Sequence, residues 1–315
     1  MVGLLDRRLV FVTGKGGVGK TTVATALALF ASEHGRRTLL CEVDAKGDVA
    51  SFLESGPTGF TAREVLPGLS AMSMDTEASL REYLRLNLRI PVVGRIGPLA
   101  KAFDFVATAA PGVREILTVG KLCFEVREQH YDLVVVDAPA TGHIIGQLAA
   151  PQAINELVKV GLIRSQTDWM LEILSDPAQT AVAIVTTPEE MPVNETMELA
   201  VRIKEETTVE LAAVIVNRVL PELFGRSEEE VFDRLCRPDA SAALARLAGD
   251  DPTAVLTAAR LAVTLRRTHA GHLERLRSAV DSAVPMLYLP FLFARFHGLR
   301  SIRQVAHSLG EELGF

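Results

Sequence analysis

The chain has 315 residues, of which 48% are apolar and 23% charged, enough for a large buried core in one domain with insertions or in two small domains. Its net charge of −6 and pI near 5.7 leave no domain-wide basic field, which excludes a nucleic-acid partner from the reading. Three widely separated cysteines, Cys41, Cys123 and Cys236, form neither a C-x-x-C pair nor a disulfide framework, which fits a reducing, cytoplasmic setting.

The run Leu9-Val10-Phe11-Val12-Thr13 reads as a buried strand, and residues 23–31 read as a helix. Between strand and helix stands Gly14-Lys15-Gly16-Gly17-Val18-Gly19-Lys20-Thr21-Thr22. It meets the phosphate-loop spacing G-x-x-x-x-G-K-T in the strand-loop-helix context that spacing requires. The strand begins within ten residues of Met1, so a cleaved leader would destroy this loop, and no signal peptide is expected. The glycines let successive backbone N–H groups turn toward one anion, and the helix N-terminus adds partial positive charge. The whole stretch is therefore the candidate nucleotide-binding loop. Lys20 is placed to reach the outer phosphates, and the Thr21 hydroxyl to ligate Mg²⁺. Lys15 is an extra cation that an ordinary phosphate loop does not need.

His34-Gly35-Arg36-Arg37 closes the helix, and residues 38–43 form a second apolar strand ending in Asp44-Ala45-Lys46-Gly47-Asp48. A carboxylate leaving the C-terminal end of such a strand lies where open α/β sheets bind ligands. Asp44 is thus a candidate to position the attacking water or a Mg²⁺-bound water. Asp48 is a candidate for the metal's outer shell, and Lys46 for a phosphate contact. The competing roles are a helix N-cap for Asp44 and a solvated carboxylate for Asp48.

Residues 56–68 are turn-rich, and 69–74 alternate like a short or edge strand. Residues 76–90 read as an amphipathic helix with Leu80, Tyr83, Leu84 and Leu88 on one side. The most membrane-like window, 96–113, is interrupted by Lys101 and Asp104 and punctuated by Pro98 and Pro111, so it reads as a core-facing segment. A helix opens at Pro111-Gly112 and runs to about Gln129. The apolar run 133–137 ends in Asp137, a buried strand that delivers a carboxylate to the Mg²⁺ shell opposite the phosphate loop. Ala138-Pro139-Ala140-Thr141-Gly142-His143 then reads as a loop that senses the γ-phosphate and moves on hydrolysis. In it His143 is a loop-fixing hydrogen-bonding group or a catalytic base.

Residues 149–177 look helical, with Trp169-Met170-Leu171 as ordinary core. A strand at 180–186, a helix through Glu206 and a strand at 209–216 lead to Asn217, whose amide offers both a donor and an acceptor or forms a turn. Residues 221–247 are helical in part and 252–284 form a long helix, where His269 and His272 lack the further ligands a metal site needs. A last strand, 286–289, precedes a closing amphipathic helix over 298–314. Its apolar face, Leu299, Ile302, Val305, Ala306 and Leu309, either docks on the sheet or anchors to a membrane surface. Strands alternating with helices predict an α/β fold with a mostly parallel central sheet and helices on both faces. A single phosphate-loop ATPase domain, 1–315, carries helical additions at about 75–128 and 150–178.

The loop pattern G-K-G-G-x-G-K-T-T resembles the deviant Walker A loop of a class that includes the nitrogenase iron protein, the septum- and chromosome-positioning ATPases and the arsenite-pump ATPases. Asp137-Ala138-Pro139-Ala140-Thr141-Gly142-His143 is similar to the D-T-A-P-T-G-H switch, and Pro111-Gly112-Val113-Arg114-Glu115 to the P-G-x-x-E segment, of the arsenite-pump and tail-anchored-protein-targeting ATPases. The resemblance to that family runs over nearly the whole chain. It implies an ATP- and Mg²⁺-dependent ATPase in which Lys15 reaches across a face-to-face dimer to the partner's nucleotide. It also implies Asp44 as the catalytic aspartate, Asn217 at the adenine, and Pro290-Phe291-Leu292 as a second adenine-flanking loop. The family's D-P-A-H-N switch is replaced by Asp44-Ala45-Lys46-Gly47-Asp48, closer to the iron protein's. Its zinc-binding C-x-x-C is absent, so no structural zinc is expected. Only 50 residues separate Asp137 from Pro188, too few for the long client-groove insertion of the targeting members, and no cysteine cluster offers arsenite a thiolate site. The expectation is a homodimer, or a heterodimer with a related ATPase subunit, that couples ATP hydrolysis to a partner or cargo. The rivals are a positioning ATPase on a membrane surface, with a membrane-associated partner, and a weakly hydrolytic regulatory subunit.

Overall fold

The first strand, β1 (Leu9–Gly14), is buried along its whole length. Its side chains alternate between two layers, with Val10 and Val12 in one core and Leu9 and Phe11 in the other. That is the pattern of a strand covered on both faces. A computed structural model describes residues 3–44, 47–88, 112–293 and 298–315. After β1 come α1 (Lys20–Glu33), β2 (Thr38–Glu42), α2 (Asp48–Phe52), β3 (Arg63–Leu66), β4 (Leu69–Ser73) and α3 (Thr76–Leu88). The middle holds α4 (Val113–Arg127), β5 (Leu133–Ala140), α5 (Thr141–Leu157), α6 (Leu162–Ser175), β6 (Thr180–Thr186), α7 (Glu190–Glu206) and β7 (Glu210–Val219). The chain closes with α8 (Arg226–Leu235), α9 (Pro238–Ala248), α10 (Thr253–Ala279), β8 (Met286–Pro290) and α11 (Leu299–Leu313).

The eight strands form one sheet in the order β3-β4-β2-β5-β1-β6-β7-β8. Every neighbouring pair is parallel except β3-β4. The phosphate loop therefore leaves the middle of the sheet, at the carboxyl end, between β5 and β6. One face is covered by α1 and α11, the other by α4, α5, α6 and α7. Helix α1 is apolar nearly all round because α11 lies over the side the sheet does not use. Ile302, Val305, Ala306 and Leu309 are buried there, and a Cβ on Gly310 would come within 2.3 Å of the Phe30 ring. Burying each such aliphatic side chain is worth about 1.5–3 kcal/mol. The amphipathic face of the closing helix is consumed by this packing and is not presented at the surface.

Three readings change. The edge strand is β3, while Leu69–Ser73 lies inside the sheet between β3 and β2. The edge was hidden because Arg63–Leu66 is largely exposed and shows no apolar alternation. The helical stretch at 149–177 is two helices, and the first starts much earlier, at Thr141. Pro151 sits inside α5, a position where sequence alone favours a helix start. As a result Thr141-Gly142-His143 is the first turn of a helix, not part of a loop. The core-facing reading of 96–113 falls mostly outside the described residues, as does Pro111, while the helix expected from Pro111-Gly112 runs over Val113–Arg127 with Gly112 as its N-cap.

Candidate nucleotide site

Two glycines fix the loop's path. Gly14 has φ +149°, and a Cβ there would lie 2.1 Å from the Val185 carbonyl oxygen. Gly19 has φ +95°, and a Cβ would lie 2.4 Å from Asn217 Nδ2. Gly19 is also the N-cap of α1 and, lacking a side chain, caps none of its amides. The first-turn N–H groups are thus left to an incoming anion. Asn217, buried at the end of β7, donates from Nδ2 to the Val18 carbonyl at 2.9 Å and accepts the Arg218 N–H at 2.9 Å. It braces the phosphate loop from the neighbouring side of the sheet. Pro290, at the end of the adjacent strand β8, is opposite Val219. The exposed Phe291 and Phe293 rings beyond it sit 4.9 Å apart. Asn217 and Pro290 therefore lie on the same edge as the loop.

On the other side of β1, the Thr21 hydroxyl donates to Asp137 Oδ2 at 2.7 Å. Thr13 donates to the Pro139 carbonyl at 2.8 Å, joining β1 to the chain that leaves Asp137. Asp137 is buried, and among the described residues its Oδ1 has no hydrogen-bond partner. Burial pushes its pKa up to about 6; the Thr21 hydrogen bond and the Lys20 charge pull it down, while Glu42 and Asp48 push it up. An orphaned buried carboxylate oxygen beside a threonine hydroxyl suits Mg²⁺. That ion binds through one or two carboxylates and completes its shell with waters and phosphate oxygens. Thr21 and Asp137 would hold it, with Asp48 near enough to be felt by Asp137. Lys20 Nζ donates to the Lys15 carbonyl at 3.2 Å, curling over the loop. The Lys15 ammonium pairs with Glu195 of α7.

Asp44 is exposed at the end of β2, and among the described residues no group takes its carboxylate. It is not a helix cap, because Gly47 occupies the N-cap of α2. The caps come instead from Glu42, which sequence reasoning missed. This buried acid accepts the Asp48 N–H at 3.2 Å, the Gly47 N–H at 3.4 Å and the Ser73 hydroxyl at 3.3 Å. It lies opposite Asp137 in the β2–β5 register. An acid inside the apolar run Leu39-Leu40-Cys41-Glu42-Val43 was the available signal. Lys46 lies outside the described residues.

His143 is exposed on the first turn of α5 with no partner among the described residues, so it fixes no loop there. Trp169 donates to Gln166 Oε1 at 2.9 Å beneath the Arg127 guanidinium, and Met170 is buried, a packing role for both. The Cys41 and Cys123 thiols are buried, which pushes their pKa values up and keeps them unreactive. Among the described residues no cluster of three His, Cys, Asp or Glu side chains could hold a metal, and no helix is long and apolar enough to cross a membrane.

A family model described as anion-transporting ATPase matches residues 7–168 and 163–234. An ATPase named BagA from Mycobacterium tuberculosis is 35% identical over 225 residues, 68% of this chain and 66% of its own. An arsenical pump-driving ATPase from Escherichia coli is 28% identical over 240 residues, 67% of this chain and 39% of its own. An ATPase get3 from Pyrenophora tritici-repentis is 30% identical over 170 residues, 52% of this chain and 50% of its own. The chain thus spans less than two thirds of the length of each of these relatives.

Proposed function

This chain belongs to the anion-transporting ATPase family, and from that premise we propose that it binds Mg²⁺–ATP at the carboxyl edge of β1 and hydrolyses it to ADP and phosphate as a nucleotide-driven dimeric switch. The observation that carries the proposal is the buried Oδ1 of Asp137, without a hydrogen-bond partner among the described residues, on a carboxylate whose Oδ2 accepts the Thr21 hydroxyl at the uncapped N-terminus of α1. It marks a site whose charge and hydrogen bonding are incomplete without a cation and an anion together. Bound Mg²⁺ supplies positive charge at the phosphate oxygens. The backbone donors of Gly16, Gly17, Val18, Gly19, Lys20, Thr21 and Thr22 bind the phosphates, and Lys20 neutralises the outer ones. Asp44 orients the water that attacks phosphorus as the bond to ADP breaks. Asp48 serves the metal's outer shell. Asn217 and Pro290 border the base. Lys15 acts on the nucleotide of a second subunit, either another copy or a related ATPase chain. The switch drives a partner or cargo, a membrane-associated one if the chain follows its pump-driving relative.

The test is phosphate release with Mg²⁺–ATP, together with molar mass by light scattering without nucleotide, with ADP and with a non-hydrolysable ATP analogue. Turnover that requires Mg²⁺, and an analogue-driven rise from monomer to dimer that Lys15→Ala abolishes, are expected. Turnover without any change of mass or compactness would reduce the reading to a monomeric ATPase.

A further inference from the structure

The lysine that sets this phosphate loop apart does not point free into solvent. Its ammonium pairs with Glu195, on the second turn of α7 and 180 residues further along the chain. The other Glu195 oxygen accepts the Thr141 hydroxyl at 3.3 Å. Thr141 opens α5, immediately after the strand that carries Asp137. One carboxylate thus joins three elements: the phosphate loop, the start of α5 and α7. Both members of the ion pair are about one-third exposed, at 27% and 31% of their side-chain surface. Helix α7 is not free to follow the lysine, since Val193, Thr196, Leu199 and Ile203 are buried along its inner side.

We propose that Glu195 is a positioning residue that holds Lys15 within its own subunit until nucleotide-driven pairing draws the lysine to the partner's phosphates. The inference rests on the trans role of Lys15 proposed above. A single ammonium cannot serve Glu195 and a nucleotide in another subunit at once. The exchange is favoured when the alternative partner is a polyphosphate, which carries more charge than one carboxylate. A partly exposed pair contributes modestly to stability, about 0.2–1 kcal/mol. Glu195 therefore sets a threshold for pairing and does not forbid it. Because Glu195 also holds Thr141, release of Lys15 changes the surroundings of the α5 start in the same event.

The test uses the full chain and the variant Glu195→Gln, which keeps the side chain's length and an oxygen for Thr141 but removes the charge. The protein concentration at which half the chains are dimeric is measured by light scattering, with Mg²⁺ and a non-hydrolysable ATP analogue. A dimer releases two such pairs, so Glu195→Gln is expected to lower this midpoint by roughly two- to thirty-fold. In a Lys15→Ala background, where analogue-driven pairing is lost, the same substitution is expected not to restore it, a pattern that a merely structural role of Glu195 does not produce. A Glu195→Gln midpoint equal to or above that of the unaltered chain overturns the proposal while leaving the dimer reading intact. So does recovery of analogue-driven dimerisation in the Lys15→Ala chain on adding Glu195→Gln. An unaltered chain that stays monomeric at every concentration overturns the trans reading itself, and the role of Glu195 falls with it. Should Glu195→Gln not fold, Thr141→Val and a lysine-modification footprint decide. Lys15 must be less reactive toward an amine reagent in the nucleotide-free unaltered chain than in nucleotide-free Thr141→Val, whose Glu195 has lost its second anchor, and equal reactivity overturns the proposal.

Discussion

Around the phosphate loop, buried side chains bond from one element to the next: Thr13 to Pro139, Thr21 to Asp137, Asn217 to Val18. Around Asp44, one strand beyond Asp137, the arrangement is different. The acid stands exposed, and its loop is held by backbone amides that Glu42 grips from below. The proposed phosphate cradle is thus bonded to β5 on one side and to β7 on the other. The group proposed to handle the water takes part in none of the three bonds named above. A binding surface gains from being preformed, whereas a hydrolytic switch gains from completing its constellation only when ligand is present.

Four measurements press on this contrast. Asp44→Asn is expected to lower kcat by about 10²–10⁴-fold, the range for losing a group that orients and deprotonates the nucleophile, with ATP affinity nearly unchanged because Asp44 is no part of the cradle. Equal losses in kcat and affinity would place Asp44 in the cradle after all. Gly14→Ala attacks the other region. Its Cβ has no room against Val185, and overpacking plus a strained φ should cost about 2–5 kcal/mol in denaturant unfolding. An alanine variant as stable as the parent would mean that the loop is far softer than its contacts imply.

The third concerns Asp137, whose pKa is raised to about 6. Without metal, the raised value stabilises the folded chain at pH below the unfolded carboxyl's value near 3.9, and that contribution is lost as pH rises through 6. Mg²⁺ requires the ionised form and relieves its cost. Adding Mg²⁺–nucleotide should therefore raise the melting temperature more at pH 7.5 than at pH 5. Below pH 6, Mg²⁺-dependent binding should weaken by about tenfold per pH unit. A Mg²⁺ effect that is flat from pH 5 to 7.5 would remove Asp137 from the metal shell. The smallest effect is expected from Glu42→Gln. Charged hydrogen bonds to Gly47 and Asp48 become neutral ones, and kcat should fall by up to about tenfold with KM little changed. A fall in KM and kcat together would show that Glu42 shapes binding as well as the switch.

The glycine-rich loop and the acid opposite it are the part that could be read from residues alone. Gly14, Lys20, Thr21 and Asp137 follow apolar strands at fixed spacing, and both the strands and the spacing are local in sequence. The parallel sheet follows from strands alternating with helices. What stayed hidden depends on contacts that only the fold creates. Glu42 looks like a stray acid until Gly47 and Asp48 curl back over it. Glu195 is an unremarked helix residue until the sheet brings α7 against the loop. The edge strand β3 opens on two exposed charges, Arg63 and Glu64, and turns only Val65 and Leu66 to the core, and the start of α5 is masked by the Pro, Gly and Thr that otherwise mark loops. Asn217 was legible as an amide at the end of a strand, but its hold on Val18 was not.

The central place of β1 also constrains the order of events during synthesis. Its neighbours, β5 and β6, end at Ala140 and Thr186, and the brace on its loop comes from Asn217. A nascent chain that has exposed only its first third carries the whole glycine-rich segment yet has neither flanking strand to set it in. Parallel pairing across such distances is slow to form, and its unpaired edges are open to wrong partners meanwhile. The proposed nucleotide site is therefore incomplete on the young chain, and its parts come together only after more than half of the sequence has left the ribosome.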